Sequence, residues 1–250
     1  MRSMKKAAAA ALGAALMALS SFASAETVRF ATEPTFPPFE FQDSKDGAII
    51  GFDVDLITAI GKQEGFEAEM VAMPFDAVLA SVISGTVEAS ITGLVKNAER
   101  AKRVDFSDGY YTAGQSMMIR KEDQAKYHKL DDLKGQKVCV QIGSVGLDLV
   151  KKIEGAEPMV FNSMPEAYME LDRKGCVAAV TGNPVNSYYL VTTKNDKLMH
   201  VEESMVNAAD LGIITQKGNT KLMARINDGL KKIKDSGEYQ QIYDKWFKAK

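Results

Sequence analysis

Histidine, cysteine, tryptophan and unbalanced charge are what this chain has little of. Its 250 residues include two histidines, two cysteines and one tryptophan. His128 and His200 stand alone on segments that read as surface, and neither cysteine has a further donor at usable spacing, so metal catalysis lacks a ligand set. Lysine and arginine number 31 against 33 aspartates and glutamates, a formal net charge of −2. No stretch is basic enough to form the electrostatic footprint of a nucleic-acid binder. Ser144 lies in Gly143-Ser144-Val145-Gly146, but the position two residues before it, where a nucleophile elbow needs glycine, is Ile142.

Long apolar runs are also scarce. Arg2, Lys5 and Lys6 precede the run Ala7 to Leu19, and Ala23-Ser24-Ala25 stands before Glu26. A positive region, an apolar region too short for a membrane span and a small-residue site predict a secretory signal over residues 1–25, cleaved after Ala25. No cysteine stands there for lipid attachment. The remaining chain is mildly acidic and has no second run of membrane length, so it is expected to be soluble and not membrane-embedded. In an exported protein the pair Cys139 and Cys176, in the strand-like segments KVCVQ and GCVAAV, reads as a disulfide, with free core thiols as the alternative.

What is present is a strand–helix rhythm, repeated. Thr27 to Ala31 alternates as a strand, and the prolines of Glu33 to Phe39 forbid helix there. Phe52, Leu56, Ile57 and Ile60 share a helical face; Phe66 to Met73 is a strand, Phe75 to Ser84 a helix and Val87 to Thr92 a strand. After Gly114 the rhythm resumes with a strand at Lys137 to Gln141, a helix from Ser144 to about Ile153, and a strand at Pro158 to Phe161. Ser163-Met-Pro-Glu166 then reads as a capping box, Val177 to Val180 as a strand, Asn183-Pro184 as a helix start and Leu211 to Thr215 as a strand. Tyr239, Ile242, Tyr243, Trp246 and Phe247 form a stripe at helical spacing, which reads as core packing; no cofactor is expected. The alternation predicts an α/β fold with mainly parallel sheets.

The stretch ITGLVKNAERAKRVDFSDGYYTAG, Ile91 to Gly114, carries the candidate chemistry. Arg103 has Glu99 four residues before it, whereas Arg100 has no acid at helical spacing. A planar guanidinium beside loop amides suits bidentate recognition of a carboxylate. A solvated helix face is the alternative for either arginine.

GFDVDL at Gly51 to Leu56, followed by ERAKRVDFSDGYY, resembles the polar-amino-acid family of periplasmic solute-binding proteins that feed ABC importers. The resemblance implies a two-lobed (type II) binding-protein fold: residues 26–109 plus 212–250 in one lobe, 115–206 in the other, and a two-crossing hinge at 110–114 and 207–211. It implies a monomer in the periplasm that captures a small carboxylate or amino-acid ligand between the lobes and delivers it to ABC permease subunits. The binding positions it carries over are Glu33, Phe36, Phe75, Thr92, Gly93, Val95 and Arg100 in the first lobe. In the second they are Gln141, Ser144, Val145 and the turn Thr181-Gly182-Asn183. Phe36 and Phe75 match the rings that sandwich the ligand side chain, and Arg100 matches the clamp on the α-carboxylate. Glu33 matches an acid that faces the ligand side chain.

Three of these positions depart from the family, and a fourth departure lies outside them. Val95 and Val145 replace hydroxyl residues, and Gly182 stands where an aspartate usually pairs with the α-ammonium; Val177 replaces a further aspartate. Either the ligand carries no free α-ammonium, as in an N-substituted amino acid, an oxo or hydroxy acid or a betaine-like compound, or Glu33 or Asp210 meets the ammonium. Two other classes share this fold. A sensor would present its closed form to a receptor, and a cyclohexadienyl-dehydratase-like enzyme would carry a catalytic glutamate where this chain has Val185.

Overall fold

The computed structural model describes residues 26–248. The segment read as an export signal lies outside the described residues. The described residues begin with β1 (Glu26–Thr32); β2 (Thr35–Phe36), β3 (Glu40–Gln42) and β4 (Ile49–Ile50) follow and form a small antiparallel sheet of their own. Helix α1 (Phe52–Glu64), β5 (Phe66–Ala72), α2 (Phe75–Ser84), β6 (Ala89–Ser90), the single turn α3 (Ala98–Ala101) and β7 (Val104–Phe106) complete the first pass. The long strand β8 (Tyr111–Arg120) leads into β9 (Lys137–Gln141), α4 (Val145–Val150), β10 (Glu157–Phe161), α5 (Met164–Asp172), β11 (Ala178–Gly182) and α6 (Asn183–Thr193). The chain returns along β12 (Leu198–Leu211) to β13 (Ile214–Gln216), α7 (Thr220–Ser236) and α8 (Glu238–Phe247).

Two five-stranded sheets result, ordered β5-β1-β6-β13-β7 and β10-β9-β11-β8-β12. Each is parallel apart from one inserted antiparallel strand, β13 in the first and β8 in the second. The chain crosses between them as a paired ribbon, with Tyr111 opposite Leu211, Thr112 opposite Asp210 and Ala113 opposite Ala209. The return of the chain puts β13 between β6 and β7, so α7 and α8 pack on the first sheet. Ile226, Leu230 and Ile233 join Leu56 and Ile60 in that core.

The GFDVDL motif has a structural explanation. Gly51 has φ 140°, and a Cβ there would collide with the backbone of Phe39, so only glycine fits. Asp53 turns inward and is buried, whereas Asp55 accepts from Lys245 Nζ (2.6 Å) and Trp246 Nε1 (2.7 Å), tying α8 to α1. The aromatic stripe is packing, as expected: Tyr239, Tyr243 and Phe247 surround Phe52 with ring centroids 5.1–6.4 Å apart.

Cys139 on β9 and Cys176, just before β11, are bridged, with Cα atoms 6.0 Å apart. The two strands are parallel neighbours, with Cys139 opposite Ala179.

Several sequence expectations needed adjustment. The strand read over Val87 to Thr92 is ordered as a strand only at Ala89–Ser90, because the chain after it breaks away into the loop that reaches the cleft. The helix read from Ser144 to about Ile153 ends at Val150, and the strand read from Leu211 divides between the end of β12 and β13. His200, read as surface, is half-buried, with Ser116 Oγ 2.7 Å from Nε2 and Ser187 Oγ 3.0 Å from Nδ1, and burial lowers its pKa.

Candidate functional site

Strand ends from both sheets converge on one cavity of about 30 Å³. Phe36 on β2, Phe75 at the start of α2, Gly93 and Val95 in the loop after β6, and Arg100 on α3 line one side. Gln141 at the end of β9, Ser144 and Val145 at the start of α4, Thr181 and Gly182 at the end of β11, and Gln115 on β8 line the other. Gln115 escaped the sequence reading because β8 was not recognised as a strand. The available signal was a polar residue opening the apolar run SMMI just after Gly114.

Arg100 reaches the cavity because α3 is a single turn. Asn97 caps it by accepting from Arg100 N–H through Oδ1 (2.9 Å), which turns the chain back before the arginine can point to solvent. Its guanidinium donates to Val95 O (2.8 Å) and, across the cleft, to Gly143 O (3.1 Å), and lies 5.9 Å from the Phe75 ring centroid. Burial lowers its pKa, partly offset by Asp148. Arg103 is exposed, and Glu99 pairs with Lys102 at 2.6 Å rather than with Arg103. Arg100, without an acid at helical spacing, lines the cavity, and Arg103, with Glu99 at that spacing, is exposed, although Glu99 pairs with another cation.

Gly93 lines the cavity, but its N–H is turned away from it and held from behind by Asp53 Oδ2 (2.8 Å). It has φ 54°, and a Cβ there would lie 3.0 Å from the Phe36 ring, so the position keeps space for that aromatic wall. Thr92 also lies behind the wall, its hydroxyl donating to Glu40 Oε1 (2.8 Å) and accepting from Glu33 N–H (2.9 Å). Glu33 is 5% exposed, and its carboxylate accepts from Thr35 Oγ1 (2.6 Å) and, across the cleft, from Gln141 Nε2 (3.2 Å). Burial raises its pKa, with the hydrogen bonds from Thr35 and Gln141 opposing.

On the other side, Ser144 Oγ caps α4 by accepting from Leu147 N–H (3.1 Å). Asn183 Oδ1 accepts from Gly114 N–H (3.1 Å), which fastens α6 to the crossing strand rather than to the cavity. Gly182 has an ordinary φ of −57°, and a Cβ there would meet only Pro184 Cδ, at 3.8 Å. The backbone therefore does not require glycine there. Asp210, an acid considered for a ligand ammonium, is exposed on β12 and accepts from Thr112 Oγ1 (2.7 Å), away from the cavity wall. Among the described residues that line the cavity, Arg100 is the one charged side chain. The wall can clamp an anion and presents no carboxylate to a cation.

The cleft loop is tied to the crossing strands. Val95 bridges Leu211, Lys96 N–H donates to Asp210 O (2.8 Å) and Gly212 N–H donates to Leu94 O (3.0 Å). A change in the crossing is therefore felt at Val95 and, through its carbonyl, at Arg100.

Residues 28–249 match the family described as bacterial extracellular solute-binding proteins, family 3. The L-cystine-binding protein of Escherichia coli K12 is 30% identical over 224 residues, 89% of this chain and 83% of that protein. The ABC transporter arginine-binding protein 1 of the same strain is 32% identical over 245 residues, 94% of this chain and 97% of that one. Among solved structures, an ancestral arginine-binding protein bound to arginine is 39% identical with a TM-score of 0.84, covering 88% of this chain and 98% of its own.

Proposed function

Because the chain belongs to the bacterial extracellular solute-binding proteins of family 3, we propose that it binds a polar amino acid, or a carboxylate derived from one, in the cleft between its two sheets. We read it as an exported periplasmic monomer, cleaved after Ala25, that delivers this ligand to the membrane subunits of an ABC importer. The observation that carries the ligand class is Arg100: a guanidinium on the cavity wall, flanked by Phe75, with no acid beside it in the lining. Such a fork matches a carboxylate in two parallel hydrogen bonds.

Binding proceeds by capture and closure. Residues 26–109 with 212–250 form one lobe and 115–206 the other, turning about 110–114 and 207–211. Among the described residues two side-chain hydrogen bonds span the cleft, Arg100 to Gly143 O and Gln141 to Glu33. A ligand that touches both walls favours closure by its differential affinity for that state. No chemistry on the ligand is invoked. Val185, where a dehydratase-like chain would carry its general acid, is an apolar residue buried to 1% exposure.

Gly182 favours a ligand without a free α-ammonium, since burying that cation without an anion costs about 1–3 kcal/mol or more. A thermal-shift comparison of free amino acids with their N-acylated, N-methylated and 2-oxo counterparts tests both levels of the reading, because any ligand of the folded state raises Tm. Shifts with the analogues alone support the narrower class; the largest shift with a free amino acid rejects it. No shift with any carboxylate overturns the proposal.

The space at Gly182 yields a further expectation. A Cβ at Gly182 clashes with nothing and the backbone there is ordinary, so Gly182→Asp should raise affinity for free α-amino acids by roughly 10-fold or more, the worth of one charge-assisted bond. It should weaken binding of carboxylates that lack the ammonium. Calorimetric titration of both classes reads the sign, and equal effects on both would exclude Gly182 from the ligand's nitrogen side.

A further inference from the structure

Behind the cleft wall two carboxyl groups lie together, out of contact with solvent. Glu40 on β3 and Asp53 in the first turn of α1 are both 0% exposed. Asp53 Oδ2 accepts from Gly93 N–H and from the Tyr110 hydroxyl, each at 2.8 Å. Glu40 Oε1 accepts from Thr92 Oγ1 at 2.8 Å. The remaining oxygens, Asp53 Oδ1 and Glu40 Oε2, are buried with no N–H or O–H partner, and the two side chains are within hydrogen-bonding reach of each other. Two ionised carboxylates cannot satisfy one another, because each is an acceptor only. One proton between them removes both orphans at once.

We propose that Glu40 and Asp53 share a single proton, and that this pair is the positioning element of the binding site. Neutral Glu40 donates to anionic Asp53, and Asp53 holds the Gly93 amide and the Tyr110 hydroxyl. Gly93 is thereby kept in the left-handed conformation that leaves room for the Phe36 wall. Tyr110 stands one residue before β8, donates its N–H to Leu211 O (3.0 Å) and accepts at its own carbonyl from the Tyr239 hydroxyl (2.6 Å). The pair therefore joins the floor of the cleft to both crossing strands without lining the cavity.

Electrostatics assigns the proton to Glu40. Desolvation first and the neighbouring Asp53 charge second raise its pKa well above the usual carboxyl range, whereas Asp53, lifted by burial, is restrained by its donors and stands at about 6. The other groups that bear on the pair are Glu33, Tyr110 and Tyr239, which are acids; no cation is among them. Linkage follows with a definite sign. A carboxyl whose folded pKa is raised stabilises fully below its unfolded value, and that contribution is lost as pH rises towards the folded value. Each lost proton costs up to about tenfold in the folding constant per pH unit.

The reading of Gly93 as a cleft residue gives the pair its functional consequence, but the test uses ligand-free protein, so either can fail without the other. Glu40→Gln keeps an acceptor for Thr92 and a donor for Asp53. Asp53→Asn keeps the acceptor for Gly93 and Tyr110 and turns a donor to Glu40. Infrared difference spectra at neutral pH should show a buried protonated carboxyl in the natural protein that each single variant lacks. Tm should fall with rising pH above 6 in the natural protein, while Glu40→Gln gains on it. Glu40→Gln combined with Asp53→Asn sets two donors face to face, and should lose more Tm than the two single changes together. A carboxyl band that survives Glu40→Gln, or additive losses in the double variant, would overturn the shared proton. An amide resonance of Gly93 that does not shift between the natural protein and Asp53→Asn would overturn the positioning role.

Discussion

Arg100→Ala should raise the Kd for a carboxylate ligand by roughly 100-fold or more while leaving the Tm of the ligand-free protein nearly unchanged. Two effects compound in binding. A bidentate guanidinium–carboxylate contact contributes about 1.5–3 kcal/mol per hydrogen bond, and its loss leaves the ligand anion without a partner in a wall that holds no other cation. The bond across the cleft to Gly143 O also disappears, so the closed state loses one of the two side-chain hydrogen bonds that span the cleft among the described residues. In the ligand-free protein the loss is limited to single contacts with Val95 O, Gly143 O and the Phe75 ring, on a loop that backbone bonds to Asp210 and Gly212 still hold. Arg100→Lys separates charge from shape: it keeps the cation but loses the fork, and should recover part of the affinity. Calorimetric titration beside a thermal melt decides it. Unchanged affinity in Arg100→Ala would remove the clamp assignment.

Reduction of the Cys139–Cys176 bridge, or Cys139→Ser with Cys176→Ser, should destabilise the protein by roughly 3–4 kcal/mol. The bridge closes a loop across 37 residues of sequence separation, and the chain-entropy account of cross-linking places loops of that size in this range. For a chain this long the loss corresponds to a fall in Tm of about 6–16 °C. The bridged strands deliver Gln141 and Thr181 to the cavity, but β9 is also paired along its length with β10, so the cleft should survive where the protein remains folded. Melts with and without reductant, with free thiols counted, measure the effect. An unchanged Tm with both thiols free would show that the sheet pairing alone sets stability.

Local signals in the sequence carried much of the fold. Gly51, the acids at Asp53 and Asp55, the capping box at Ser163 and the apolar periodicity of the helices all operate within a few residues, and the structure bears them out. Strands β8 and β12 were missed because they are long and irregularly patterned: β8 is buried along almost its whole length, and β12 changes register twice against it. Period-two alternation needs one wet and one dry face, which neither presents.

The site divides in the same way. Arg100 was legible because it lacked a local acid, and Gly182 because it departed from a pattern. The locations of Asp210 and Gln115, and the capture of the Gly93 amide by Asp53, were not legible, since each depends on residues dozens of positions apart. By itself the sequence determined most of the helices, their caps and the shorter strands, because capping, periodicity and spacing are short-range, and the two-lobed arrangement was expected only through the family resemblance. The tertiary structure alone decided that no acid lines the cavity among the described residues, that Glu40 meets Asp53 behind Gly93, and how the cleft loop is bound to the crossing strands. Those outcomes follow from burial and desolvation, which exist only once distant segments have packed.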